Sequence, residues 1–167
     1  MKKQYDVVVA GGGTAGVSAA IAAARGGAKT LVVEQYGHLG GTAVGGIPFL
    51  GALDGKGRVV NRGIFLEIIE RLKKENACFG YAQGARWNTQ EEYQFSLVPF
   101  DPEIYKFVAQ EMVLEAGAEI SFHSYVTGVS AVNGRIQAVE VANKSGKQNI
   151  EAKVFIDCTG DADLVGM

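Results

Sequence analysis

The sequence predicts an α/β fold, a central parallel sheet with helices packed on it and a β-meander inserted before its last strand. Three observations predict it. The first forty residues read as buried strand, glycine turn, small-residue helix and second strand; two tight-turn signals, Asn133-Gly134 and Lys144-Ser145-Gly146-Lys147, divide residues 126–154 into three extended runs; and a short apolar run ends in Thr159-Gly160-Asp161.

Composition bounds the answer. With 167 residues and 47% hydrophobic residues, the chain is long enough for one ordinary domain with a real core. Sixteen Lys and Arg against eighteen Asp and Glu leave a formal charge of -2, too small a field to recruit nucleic acid or an anionic membrane. Glycine is the anomaly: 23 residues, roughly twice the usual share, with three prolines. Cys78 and Cys158 lie far apart and form neither a disulfide framework nor a metal-ligand pair. Asp6 and the glycine run break the apolar stretch that a secretory signal needs, and no run is long enough to span a membrane, so a cytoplasmic location is expected.

Residues 5–10 are apolar and β-branched, which suits a strand covered on both faces. Gly11-Gly12-Gly13-Thr14-Ala15-Gly16 comes immediately after. Over residues 14–25 the side chains are small, and Gly16, Ala20 and Ala24 recur every fourth position, leaving one helix face bare enough to press on a sheet. Gly26-Gly27 ends that helix, and residues 29–34 form the second strand, finishing at Glu34.

This is G-x-G-x-x-G in the strand–turn–helix–strand context that binds a dinucleotide, a Rossmann-like unit. Gly11 permits the tight turn, Gly13 lets a pyrophosphate approach the backbone, and Gly16 lets the helix pack closely. The helix N-terminus, with the N–H groups around Thr14 and Ala15, faces the phosphates. Glu34, with Gln35 next to it, is placed to accept hydrogen bonds from an adenosine ribose and to repel a 2'-phosphate, which disfavours NADP. These residues alone do not separate FAD from NAD.

Residues 37–57 mix glycine with Leu, Val, Ile and Phe rather than with Ser, as expected of backbone wrapped closely around a ligand rather than of a flexible linker. At Glu34 and Gly40-Gly41-Thr42 the chain begins to resemble the FAD-binding domain of glutathione-reductase-like flavoproteins. Phe155-Ile156-Asp157-Cys158-Thr159-Gly160-Asp161-Ala162-Asp163-Leu164 is similar to the second FAD contact of the FAD-dependent oxidoreductases. Asp101-Pro102-Glu103 and Asn143-Lys144-Ser145-Gly146 also match that family. The resemblance spans essentially the whole chain. It implies FAD as cofactor, contacts from Gly40, Gly41, Thr42, Thr159, Gly160 and Asp161, and adenine meeting the backbone near Tyr125 and Val126; it implies a reaction class but no substrate.

The remaining segments read as scaffold. Asn61 is expected to cap a helix over residues 62–76, with Ile64, Ile68 and Leu72 facing the core. Residues 77–100 lack periodicity and are expected to be irregular; their aromatics fit a local core or substrate selection, the local core being favoured, and neither Arg86 nor Trp87 is given a catalytic role. Asp101 as N-cap and Pro102 at the first position start another helix, which Gly117 ends. Residues 118–122 form a further parallel strand. Asp157, Asp161 and Asp163 lack the spacing of a calcium loop, and no metal is expected. His38 and His123 have no identifiable partner in the sequence and carry no catalytic assignment.

One FAD-binding domain is therefore expected over residues 1–167, organised as a βαβ unit (1–35), a Gly-rich loop (36–60), a helical and irregular section (61–117), a strand and β-meander (118–153) and a last strand with its turn (154–167). By the same resemblance the chain stops short of the substrate domain. A surface for self-association or a partner chain would result, with no nucleic acid and no membrane among the partners. Two alternatives stay open: a non-catalytic nucleotide-binding or assembly subunit, and an NAD-dependent dehydrogenase.

Overall fold

The computed structural model describes residues 4–54, 56–86 and 94–167. In order these form β1 (Gln4–Ala10), α1 (Thr14–Arg25), β2 (Thr30–Val33), a 3-10 turn (Gly41–Gly45), β3 (Phe49–Leu50), α2 (Ile64–Lys74), β4 (Ala82–Arg86), β5 (Gln94–Val98), α3 (Pro102–Glu115), β6 (Glu119–Ser121), β7 (Tyr125–Val132), β8 (Arg135–Asn143), β9 (Gly146–Asp157) and α4 (Asp163–Gly166). They divide into two compact units, residues 1–41 with 109–167, and residues 42–108.

The first unit is built on a six-stranded sheet of order β6-β2-β1-β9-β8-β7. Strands β6, β2, β1 and β9 run parallel, with Val7 opposite Thr30 and Val154, and Ala10 opposite Val33 and Asp157. Being central, β1 buries Val8, Val9 and Ala10 completely, which is why it reads as a continuous apolar run rather than an alternating one. The meander closes through β8, antiparallel to both β7 and β9. Val139, Val141 and Ile150 from its strands join Tyr5, Val8, Leu31 and Val33 in one cluster.

Here the structure corrects the expected boundary at residue 154. The third meander strand and the last buried strand are a single strand, β9. Its first half, Gly146 to Glu151, pairs with β8, and its second half, Glu151 to Asp157, pairs with β1. No glycine or proline interrupts residues 147–157, so nothing in the backbone calls for a break.

The second unit, residues 42–108, holds most of the loop (36–60) and helical (61–117) sections expected from sequence. Phe49 packs on Phe100 at 4.4 Å between ring centroids and meets Phe65 and Tyr105 edge-on. Two expectations change. Residues 77–100 are not irregular throughout: β4 and β5 pair antiparallel and β3 adds to β5. The alternation in β5 is hidden in sequence because one of its buried positions is Ser96, whose hydroxyl accepts the Leu53 N–H at 2.9 Å. The second helix starts at Ile64 behind Gly63, at φ +65°, and has no side-chain cap, so Asn61 lies too early to cap it. Trp87 and Tyr93 lie outside the described residues. Helix α3, by contrast, begins as expected, with Asp101 Oδ1 accepting the Glu103 N–H at 2.8 Å.

Candidate nucleotide-binding site

The site lies at the carboxyl ends of β2, β1 and β9, in that spatial order. In an open parallel sheet this edge is where helix N-termini and loops converge and ligands bind.

At the centre, β1 ends in the glycine turn. Gly11 has φ +92°, and a Cβ there would strike the Cys158 carbonyl; one on Gly16 would strike the Gly11 carbonyl oxygen. Only glycine allows β1, α1 and β9 to come this close. Helix α1 starts at Thr14 with neither a side-chain cap nor an acidic residue in its first turn, and Thr14 and Ala15 are exposed. Its first N–H groups and positive dipole end are thus left for an anion, here on a twelve-residue helix.

On the β2 side, Glu34 is 5% exposed. Its Oε2 accepts the Gly12 N–H at 2.6 Å and its Oε1 accepts the Tyr36 N–H at 2.7 Å. Two carboxyl oxygens offer about four acceptor positions, so two remain after these bonds. The Glu34 backbone is fixed as well, its N–H donating to the Ser121 carbonyl and its own carbonyl accepting the Ser124 N–H. Val126 comes two residues later at the start of β7, its side chain turned to the core cluster. Gln35 is exposed.

The segment after β2 returns to the glycine turn. Gly40 pairs with Gly13, its N–H donating to the Gly12 carbonyl at 2.8 Å, and a Cβ on Gly41 would come within 2.8 Å of the Gly13 Cα. Gly40 and Gly41 are therefore in contact with the turn, in keeping with their place in the sequence motif. Thr42 is the first residue of the second unit.

On the β9 side, the Cys158 N–H donates to the Ala10 carbonyl, which ties the adjoining Thr159-Gly160-Asp161 turn to the end of β1. Asp157 Oδ1 accepts both the N–H of Thr159, at 3.1 Å, and its hydroxyl, at 2.8 Å; Oδ2 accepts the Leu164 N–H at 2.9 Å. The Thr159 hydroxyl in turn accepts the Asp163 N–H. Burial alone would raise the Asp157 pKa, but the bonds from Thr159 and from the N–H groups of Leu164 and Val165 outweigh it and hold the carboxyl below its ordinary value. Burial, with Asp157 next to it, pushes the Cys158 thiol up, away from the thiolate.

Several neighbours are not evident from sequence. Gly12 is buried, and a Cβ on it would meet Leu39 Cδ2 at 2.5 Å and Glu34 Oε2 at 2.9 Å; its place in the middle of three consecutive glycines is its only signal. Asp157 reads in sequence only as one of three spaced acids. Ser124 is 1% exposed, and its hydroxyl is joined to the Ser121 hydroxyl and to Asn143. Neither histidine gains a charged partner among the described residues. His38 stacks on Tyr36 and His123 packs over Gly37. Among the described residues no group of three or more His, Cys, Asp or Glu is placed to hold a metal ion, and no helix is long and apolar enough to cross a membrane.

The arrangement therefore fits a dinucleotide by its own geometry: acceptors at β2, an uncapped helix N-terminus at β1 and a bonded turn at β9. Comparison with known proteins agrees. The FAD dependent oxidoreductase family matches residues 6–167. Digeranylgeranylglycerophospholipid reductase 1 of Methanococcoides burtonii is 28% identical over 171 residues, covering 99% of this chain and 40% of its own length, so the chain spans well under half of that relative. Among solved structures, the geranylgeranyl bacteriochlorophyll reductase-like protein of Thermoplasma acidophilum superposes with a TM-score of 0.64 at 22% identity, covering 94% of this chain and 39% of that one. THI4 of Thermovibrio ammonificans gives 0.64 at 19% identity, covering 98% and 60%. These two share the fold. With the match running from Asp6 through the Thr-Gly-Asp turn to Met167, the chain belongs to the FAD dependent oxidoreductase family, whose cofactor is FAD.

Proposed function

We propose that this chain is the FAD-holding part of a flavin-dependent oxidoreductase. Glu34 receives the adenosine ribose, the Gly11 to Gly16 turn and the start of α1 receive the pyrophosphate, and the other half of the dinucleotide extends toward Thr159, Gly160 and Asp161. Gly40 and Gly41 flank the pyrophosphate; Gln35, Thr42 and Val126 are proposed on sequence grounds. The observation that carries the reading is the combination of a buried, doubly bonded Glu34 with an uncapped helix start at the neighbouring strand end.

When bound, FAD supplies the redox chemistry through its isoalloxazine ring, which accepts and returns a hydride or electrons. This chain's residues bind and orient. The Gly12 and Tyr36 N–H groups fix the Glu34 carboxyl so that its free acceptor positions are presented without a search of rotamers. The N–H groups of the first turn of α1 neutralise phosphate charge without a cationic side chain.

Two variants test the reading. Glu34→Ala removes two charge-capable acceptors and is expected to weaken FAD binding by about 10- to 100-fold. A Cβ on Gly13 would only touch the Gly41 Cα, at 3.8 Å, but the branched methyls of Gly13→Val would cover the backbone that the pyrophosphate is proposed to approach, and the variant is expected to weaken FAD binding by more than about tenfold. Fluorescence titration with FAD measures both. Unchanged affinity in the two variants would overturn the reading.

A further inference from the structure

We propose that Asp157 is a positioning residue for the half of the dinucleotide that lies beyond the pyrophosphate, acting by holding the Thr159-Gly160-Asp161 turn in its binding shape. The inference rests on the binding mode proposed for FAD and deepens it.

Three features of the structure support it. First, Asp157 is the last residue of β9, opposite Ala10 at the end of β1, so its backbone is fixed by the sheet before the turn begins. Second, its carboxyl bonds to both ends of the segment from Thr159 to Leu164: Oδ1 to the N–H and hydroxyl of Thr159, Oδ2 to the N–H of Leu164 across the turn. Leu164 is 4% exposed and belongs to the main core cluster, so the far end of the turn is anchored as firmly as the near end. Third, the intervening backbone passes through the left-handed region at Gly160, φ +95°, and at Ala162, φ +59°, a conformation that an alanine adopts only when its surroundings impose it. Asp157 spans this whole segment, and the Thr159 hydroxyl it holds in turn accepts the Asp163 N–H inside it.

The same bonds divide the labour among the turn residues. The Thr159 hydroxyl donates to Asp157 and accepts from the Asp163 N–H, so it is engaged inside the turn and is left with little to offer a ligand. Asp161 is exposed, and no partner for its carboxyl is found among the described residues. A ligand would therefore meet the backbone of the turn and Asp161, while Asp157 and Thr159 act from behind them.

Strand order supplies the test. Adenosine sits on the β2 side of the glycine turn and Asp157 on the β9 side, so ADP probes the site without the half that Asp157 serves. The full chain, its Asp157→Asn and Thr159→Val variants and the double variant are titrated with FAD and with ADP, with far-UV circular dichroism as the fold control. Asn at 157 keeps one acceptor but opposes the Leu164 N–H or Thr159 with its own donor; Val at 159 removes only the hydroxyl's bonds to Asp157 and from the Asp163 N–H, leaving the two backbone N–H bonds to the carboxyl in place. The expected result is about a tenfold weaker FAD affinity for Asp157→Asn, a smaller loss for Thr159→Val, a loss in the double variant below the product of the two, and ADP affinity within about twofold of the parent. Equal loss of FAD and ADP affinity would show a merely structural role and overturn the proposal, as would full FAD affinity in both single variants. A parent chain that binds ADP but not FAD would instead overturn the binding mode itself, and the proposal with it.

Discussion

At the scale of single residues, the site depends on atoms that are missing as much as on those present. A Cβ on Gly16 would overlap the Gly11 carbonyl, which is backbone and cannot swing aside, whereas a Cβ on Gly117, at φ +92°, meets nothing within 4 Å. Gly16→Ala is therefore expected to cost about 1 to 3 kcal/mol despite the better helix propensity of alanine, and to weaken FAD binding more than about tenfold. Gly117→Ala should cost about 1 kcal/mol from its backbone conformation alone and leave FAD binding unchanged. Urea denaturation and FAD titration of the two variants check this contrast. The glycines and Glu34 were legible in the sequence because their demands are local: a turn, a close approach, an acid at a strand end. The bonds from Glu34 to Gly12 and from Asp157 to Leu164 were not. Each depends on where a side chain points after the chain has folded back, and one carboxyl reads like another until its donors are in place.

Among the elements, the order and type of β1, α1, β2, α3 and the meander agree with periodicity and turn residues, because the backbone there meets one strong local signal at a time. The sequence was silent where partners were distant. Nothing near residue 154 announces that β9 pairs with β8 on one edge and β1 on the other, and nothing in Gln94-Phe95-Ser96-Leu97-Val98 announces a strand until Ser96 is seen to bond Leu53. Two element-scale outcomes are expected. Tyr105, at the start of α3, is fully buried against Phe49 and Phe100, and its hydroxyl has no hydrogen-bond partner among the described residues; burial pushes its pKa up to about 12. Tyr105→Phe removes a desolvated hydroxyl and should raise stability by up to about 1 kcal/mol, read as a higher urea midpoint. Asp6 holds three strands at one end of the sheet. Lys153 Nζ on β9, at 2.6 Å, and then the Lys29 N–H ahead of β2, at 2.9 Å, keep its carboxyl below the ordinary carboxylate value. A folded-state pKa below the unfolded one, about 3.9, contributes stability above that value and loses it as the pH falls through the folded pKa. Asp6→Asn should therefore unfold at lower urea than the parent at pH 7, and the two midpoints should converge in acid.

For the molecule as a whole, two compact units share one chain, and all the residues proposed to hold the nucleotide except Thr42 lie in the unit of residues 1–41 and 109–167. Its strand order puts Glu34, the glycine turn and the Thr159 turn side by side on three neighbouring strands, although Glu34 and Thr159 are separated by more than half of the sequence. Family membership rests on a match that covers nearly the whole chain, while the chain itself covers 40% of the Methanococcoides burtonii reductase, and FAD binding is the property proposed for it. The measurement that tests it most directly is the visible absorbance of the purified chain, before and after incubation with excess FAD and re-isolation. Flavin bands that stay with the protein and saturate at one FAD per chain are expected. Colourless protein that takes up no FAD yet binds NADH saturably would contradict it.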